Sequence, residues 1–397
     1  MAERFVYLDH AATTPTDARV VEAMLPFFGE RFGNPSSIYR LGRSSLQALD
    51  DARSTVAQII NCSPKEIVWT GGGSEADNLA IKGVALALRE QGKGAHIVTS
   101  AIEHHAVLHA CDALAEMGFE TTVVSVDADG LVDPEQFRAA LRPDTVLATI
   151  MYANNEIGTL QPLAQLGAIA HEHGVLFHTD AVQAGGSLPL DVKALNVDLL
   201  TLTAHKFYGP KGTGMLYVRQ GTPLKSQIHG GNQERRRRAG TENVPGIVGF
   251  ATALRLAEAE RSTYADHCMA LREQLIDGIM ASIPYAHVNG HRTERLPNNA
   301  NVSFDYLEGE SLLMLLDQQG FYASSGSACT SGSLDPSHVL MALGMSTERA
   351  MGSVRFTVGQ TTTADNIVAL LDVLPGMVER LRSMSPDYQD MMAEQAA

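Results

Sequence analysis

Between about residues 45 and 220 the chain alternates two hydrophobic periods. Leu46, Leu49, Ala52, Val56 and Ile59-Ile60 recur at helical spacing and predict a helix over roughly 45–60. A short apolar run, Ile67-Val68-Trp69, then meets Gly71-Gly72-Gly73-Ser74. A second helical pattern, carrying Leu79, Ile81 and Val84, follows it. Nearly continuous apolar runs recur at 96–99, 121–126, 146–152, 175–178, 199–203 and 215–218, with helical patterns between several of them, as at 163–172. Strands buried on both faces read this way, so the alternation predicts an α/β fold with a mostly parallel sheet covered by helices. Ligands in such sheets sit at the C-terminal ends of the strands.

The pattern changes after about 260. A long helical segment spans 246–282. A strand at 301–304, a helix at 309–319, a Ser/Gly loop at 324–333, a strand at 354–358 and a helix at 363–384 follow. This predicts a smaller α+β domain, and residues beyond about 385 read as a frayed acidic tail. A length of 397 residues suits two or three domains.

Composition adds three constraints. Apolar residues are 45% and charged residues 19%, as in a globular chain with a sizeable core. The net charge of −15 opposes binding to nucleic acid or anionic lipid. The run Arg235-Arg236-Arg237-Arg238 has no interleaved aromatics and reads as a site wall or subunit contact. Four scattered cysteines, Cys62, Cys111, Cys268 and Cys329, form no disulfide framework and fit a reducing compartment. Met1-Ala2-Glu3-Arg4-Phe5 lacks a signal-peptide pattern and no run is long enough to span a membrane, so a cytoplasmic protein is expected. His104-His105, and His171 with His173, lack the spacing of a metal site, so no structural metal is expected.

Candidate chemistry gathers at the ends of the apolar runs. Lys206 follows the strand at 199–203, where partial desolvation makes an amine a usable nucleophile. Asp180 ends the strand at 175–179, where a carboxylate either caps a helix or pairs with a pyridinium nitrogen. Gln183 lies close enough to meet a ring substituent. The turn Gly71-Gly72-Gly73-Ser74 offers backbone N–H groups and a hydroxyl to a phosphate. None of these signals is specific alone.

Together with longer motifs they identify a resemblance. The stretches are Tyr7-Leu8-Asp9-His10-Ala11-Ala12-Thr13-Thr14-Pro15, Phe32-Gly33-Asn34-Pro35-Ser36-Ser37, Glu103-His104, Asn154-Asn155-Glu156-Ile157-Gly158, His178-Thr179-Asp180-Ala181-Val182-Gln183, His205-Lys206 with Gly209-Pro210-Lys211-Gly212, Arg238-Ala239-Gly240-Thr241-Glu242-Asn243 and Ser324-Ser325-Gly326-Ser327-Ala328-Cys329-Thr330-Ser331. In this order they resemble the NifS/IscS-type cysteine desulfurases of the pyridoxal-phosphate (PLP) fold-type I superfamily.

The resemblance implies a large domain, 15–260, built on a mostly parallel seven-stranded sheet, and a small domain made of 1–14 and 261–397. Lys206 would anchor PLP covalently, and His104 would stack on the ring and move protons. Asp180 would pair with the ring nitrogen and Gln183 with the ring oxygen. Gly73, Ser74, Thr203 and His205 would hold the phosphate, joined by Thr241 of a partner subunit in a homodimer. Asn34, Asn155 and Arg355 would bind the substrate L-cysteine, Asn155 also touching the cofactor. The Cys329 thiolate would attack the substrate sulfur, leaving alanine and a persulfide. The long loop after Cys329 resembles the group that feeds an iron–sulfur scaffold or another sulfur acceptor, so Cys329 is a possible transient cluster ligand. Two positions depart from the family: Gly73-Ser74 replaces Ala-Thr, and Gln360 stands where Arg is frequent.

Three readings compete. Another PLP reaction is possible on this fold, but transamination has no use for a thiol in a mobile Ser/Gly loop, while selenocysteine is a conceivable side substrate. A non-catalytic scaffold would predict a damaged site, yet Lys206, Asp180, His104 and Cys329 are all present. The desulfurase reading accounts for all four.

Overall fold

The computed structural model describes residues 5–325 and 335–396. Its largest sheet has seven strands, in the order Ile67–Thr70, Gly214–Val218, Leu199–Thr203, Leu176–Asp180, Thr145–Thr149, His96–Ser100 and Glu120–Val124. Every pairing from Leu199–Thr203 to Glu120–Val124 is parallel. Gly214–Val218 runs antiparallel to both neighbours. Five of these strands are buried at every residue, which is why they appear as unbroken apolar runs.

Alternate side chains divide the sheet between two helical layers. Ile97, Leu147 and Leu199 pack under the helix Gly73–Glu90 through Leu79, Ile81 and Val84. Val98, Ala148 and Leu200 face the opposite layer, with Val56 of Arg40–Ile59 and Ile169 of Leu163–Glu172. Each such side chain removed from water contributes about 1.5–3 kcal/mol.

A second core surrounds the antiparallel sheet Ser353–Thr357, Asn299–Phe304 and Ala286–Val288. Val302, Phe304 and Phe356 pack there on Leu312 and Leu374. The short strand Val6–Tyr7 pairs with Phe321–Tyr322, so the chain's beginning enters this core. The 39-residue helix Val244–Ser282 joins both cores. Its Ile247 and Phe250 belong to the first, and its Leu271 and Leu275 to the second.

One expectation is corrected. Beyond residue 385 the chain forms a helix, Pro386–Ala396, not a frayed tail. Proline suits its first position and Asp387 suits the positive end of the helix dipole. Tyr388 lies 5.6 Å from the ring of Tyr306 and 5.7 Å from the guanidinium of Arg382. No described helix is long and apolar enough to cross a membrane.

Candidate active site

The sheet delivers its polar residues to one cavity of about 320 Å³, at the small end of small-molecule sites. Lys206, Asp180, Gln183, His104, Asn155, Thr203, His205, Gly73, Ser74 and Arg355 all line it, so ten expected site residues meet at one place. A larger groove of about 710 Å³ lies along 125–134 and 160–165. No lysine, histidine or cysteine lines it, and Ser125 and Gln136 are hydrogen-bonded to each other. The reactive groups are in the smaller cavity.

The end of the cavity expected to take a phosphate comes from the turn after Ile67–Thr70. Gly72 precedes the helix Gly73–Glu90 with φ of 157°, a conformation that side-chain-bearing residues rarely adopt. No side chain caps this helix, so its leading N–H groups are left for a ligand. Glycine at 73 fits a close approach: a Cβ there would meet Val182 Cγ2 at 3.0 Å, a tight contact that an alanine would accommodate only by a small shift of Val182. His205 binds Thr13 Oγ1 through Nδ1 at 3.1 Å. Burial and the neighbouring Lys206 push its pKa down to about 4, so it is neutral at pH 7.

Lys206 Nζ donates to the carbonyls of Ala11 at 2.5 Å and Ala12 at 2.9 Å. Gln183 Nε2 donates to the same Ala11 carbonyl at 3.0 Å. Asp180 accepts from Val182 N at 2.9 Å, and burial raises its pKa to about 6 while Lys206 opposes the rise. His104 precedes the helix His105–Ala115 and accepts from Ala106 N at 3.1 Å through Nδ1. Its ring proton therefore sits on Nε2. Burial, then Lys206, lower its pKa to about 4.

At the other wall, Arg355 is 3% exposed. It donates to Asp9 Oδ1 at 2.8 Å and to the Asn155 carbonyl at 2.9 Å, and its Nε has no partner. Asn155 Oδ1 is likewise buried and unpartnered. These orphaned atoms and the bare helix start suit a polar ligand, and an anionic heterocycle with an amino-acid substrate fits them. The residues present therefore suit PLP.

Two expected residues stay outside the cavity. Asn34 is exposed and its Oδ1 accepts from Ser36 N at 2.9 Å, closing the turn before Arg40–Ile59. Thr241 is also exposed. The neighbouring arginines are fastened locally: Arg238 pairs with Glu75 at 2.8 Å, and the fully paired Arg53–Glu234 bridge anchors their turn. Gln360 donates its backbone N–H to Tyr208 Oη at 2.8 Å and lines a small cavity beside Glu260.

Cys329 lies outside the described residues. The chain on either side of it is anchored at the cavity. Ser324 pairs with Arg355 through two backbone bonds of 2.7 and 3.2 Å. On the far side Ser337 donates to Glu156 Oε2 at 2.5 Å, and His338 Nε2 donates to the Glu103 carbonyl at 2.9 Å. The other three cysteines are poor thiolates, since burial pushes Cys62, Cys111 and Cys268 each up to about 12.

Sequence reading gave no role to Asp9 and Glu103, which lie within quoted motifs, and passed over Asp77. Glu103 is fully buried, with Oε1 accepting from Ser100 Oγ at 2.6 Å and Met151 N at 2.9 Å and Oε2 unpartnered. Burial raises its pKa to about 8 from the ordinary 4.5. Between those values the folded chain keeps a proton that the unfolded chain has lost. Stability then falls as pH rises, by up to about 1.4 kcal/mol per pH unit. Glu103→Gln stays neutral at every pH. It is expected to melt above the parent at pH 8, the gap narrowing towards pH 5, as thermal melts across pH will show.

The aminotransferase class-V family profile matches residues 6–370. The chain is similar to the cysteine desulfurase IscS of Methanosarcina thermophila, 54% identical over 381 residues, covering 96% of this chain and 94% of that protein. It is similar to the protein of the same description from Dictyoglomus turgidum, 51% identical and covering 98% of each. Among solved structures it is similar to a NifS-like protein with TM-score 0.89 and 37% identity, covering 95% of this chain and all of that one. It is also similar to SspA in complex with cysteine, with TM-score 0.78 and 36% identity, covering 90% of this chain and all of that one.

Proposed function

The chain belongs to the aminotransferase class-V family, among its IscS-type cysteine desulfurases, and from that premise we propose how its residues take sulfur from L-cysteine. The observation that carries the proposal is the convergence of Lys206, Asp180, His104, Asn155 and Arg355 on one cavity, with Arg355 pairing the root of the Cys329 segment.

Lys206, Asp180, Gln183, His104, Asn155 and the Gly73, Ser74, Thr203 and His205 group hold PLP. When bound, PLP supplies an electron sink that weakens bonds at the substrate's Cα and Cβ. Arg355 and Asn155 bind the substrate carboxylate, and Asp9 fixes the Arg355 guanidinium for that contact. Lys206 Nζ takes the Cα proton. His104, neutral, moves a proton through Nε2 near the substrate sulfur. The Cys329 thiolate attacks that sulfur: an S–S bond forms, the substrate C–S bond breaks, and the carbon gains a proton. The products are alanine and a Cys329 persulfide. Ser325, the last described residue before it, is four residues from Cys329, at most about 14 Å of extended chain, a span that allows the thiol to act at the cavity.

Five large apolar side chains within residues 25–39, Leu25, Phe28, Phe32, Ile38 and Tyr39, are exposed, which supports a homodimer within which Thr241 and Asn34 complete the partner's site. The two separate cores support a large domain of 15–260 and a small one of 1–14 with 261–397. The sulfur acceptor is an iron–sulfur scaffold or another acceptor protein, and the setting is cytoplasmic. The test is direct: incubated with cysteine and a reducing thiol, the purified protein is expected to release alanine and sulfide in about equal amounts. Ammonia and pyruvate in place of alanine would overturn the reading.

A further inference from the structure

Asp77 lines the cavity but has no task in the mechanism above. It projects from the helix Gly73–Glu90 and is 1% exposed. It faces three neighbouring strands that place polar side chains in register, Thr149 beside His178 and Asp180 beside Thr201. His178 bonds Thr149 Oγ1 through Nδ1 at 2.8 Å and Thr201 Oγ1 through Nε2 at 3.1 Å. Thr201 in turn bonds the Asp77 carboxyl. Asp77 Oδ1 itself has no hydrogen-bond partner. Five buried polar groups thus form one layer at the cavity wall.

The charge in that layer follows from its members. His178 is 3.7 Å from Asp77 Oδ1, too far for a hydrogen bond. Burial also pushes its pKa down to about 3, so it is neutral and forms no ion pair. Burial, then Asp180, then Glu103 push Asp77 well above the carboxylate range, and Thr201 only partly offsets them. Two carboxyls in one buried site do not both ionise. Lys206 acts on Asp180 and favours the charge there.

We propose that Asp77 is a positioning residue: it keeps the proton of the Asp77/Asp180 pair, so that Asp180 presents the one negative charge to the cofactor ring. This rests on reading Asp180 as the partner of the ring nitrogen. The requirement is for a neutral hydrogen-bonding side chain at position 77, not for a carboxylate. Asn supplies that and Leu does not.

PLP affinity of the cofactor-free protein tests this without turnover. The single tryptophan, Trp69, lies two residues before Gly71 of the phosphate turn, and its fluorescence reports binding. Asp77→Asn is expected to bind PLP within about threefold of the parent, and Asp77→Leu at least about tenfold more weakly. Melting temperatures of the cofactor-free variants check folding, and Asp77→Ala replaces Asp77→Leu if the latter does not fold. Equal losses in Asn and Leu variants would show that the charge itself is needed and overturn the proposal. Parental affinity in the Leu or Ala variant would also overturn it. Asp180→Asn separates the two layers of inference. Weakened binding there with an unaffected Asp77→Leu sinks the role of Asp77 alone. Unchanged binding in Asp180→Asn sinks the reading of Asp180, and the proposal with it.

Discussion

Lys206→Ala is expected to lower alanine release from cysteine by at least about 10⁴-fold, because the amine both anchors the cofactor and moves the Cα proton. The structural side of this substitution is small. Lys206 ends its strand connection with its Nζ on the carbonyls of Ala11 and Ala12. Ala11 keeps the bond from Gln183 when the amine is removed. A melting temperature close to the parent's, beside a lost activity, would separate chemistry from folding. The purified variant should also lose the visible colour of the anchored cofactor. Turnover retained in Lys206→Ala would remove Lys206 from the mechanism while leaving the fold untouched.

How far the sequence predicts this site depends on where each residue stands. Lys206, His104 and Asn155 follow, and Asp180 ends, strands that are buried along almost their whole length, so an apolar run marks the place of each. The parallel sheet was legible for the same reason. Asp77 and Glu103 were not, because they sit within or beside apolar patterns and only the packed sheet shows that they are buried acids. The Asp9–Arg355 pair joins residues 346 positions apart, and only the meeting of both cores creates it. The two-residue strand Val6–Tyr7 is too short for a period to show. Arg235 to Arg238 read as a basic run, yet their turn is set by Glu234, whose carboxylate takes Arg53 and the Trp69 amide. Asn34 and Thr241 carry a different difficulty: both are exposed and lie outside the cavity of the single chain, so the chain alone does not bring them to the site.

Cys329→Ser separates the cofactor chemistry from the sulfur transfer. Serine is close in size and the neighbours are already Ser327 and Thr330, so packing predicts a nearly silent change. The mechanism predicts the opposite. A thiolate attacks sulfur, whereas an alcohol barely ionises at neutral pH, so the S–S bond cannot form. The other cysteines offer no substitute, since burial holds Cys62, Cys111 and Cys268 near 12. The variant should still bind PLP and still change colour on adding cysteine, because Lys206, Asp180 and Arg355 are intact. It should then stall, with no protein persulfide and alanine release reduced by several orders of magnitude. Cys62→Ser and Cys111→Ser should turn over like the parent. The comparison is made by counting alanine per active site and by labelling the persulfide. Near-normal alanine from Cys329→Ser would overturn the sulfur-transfer step and leave the cofactor site standing, because that site is built from residues the substitution does not touch.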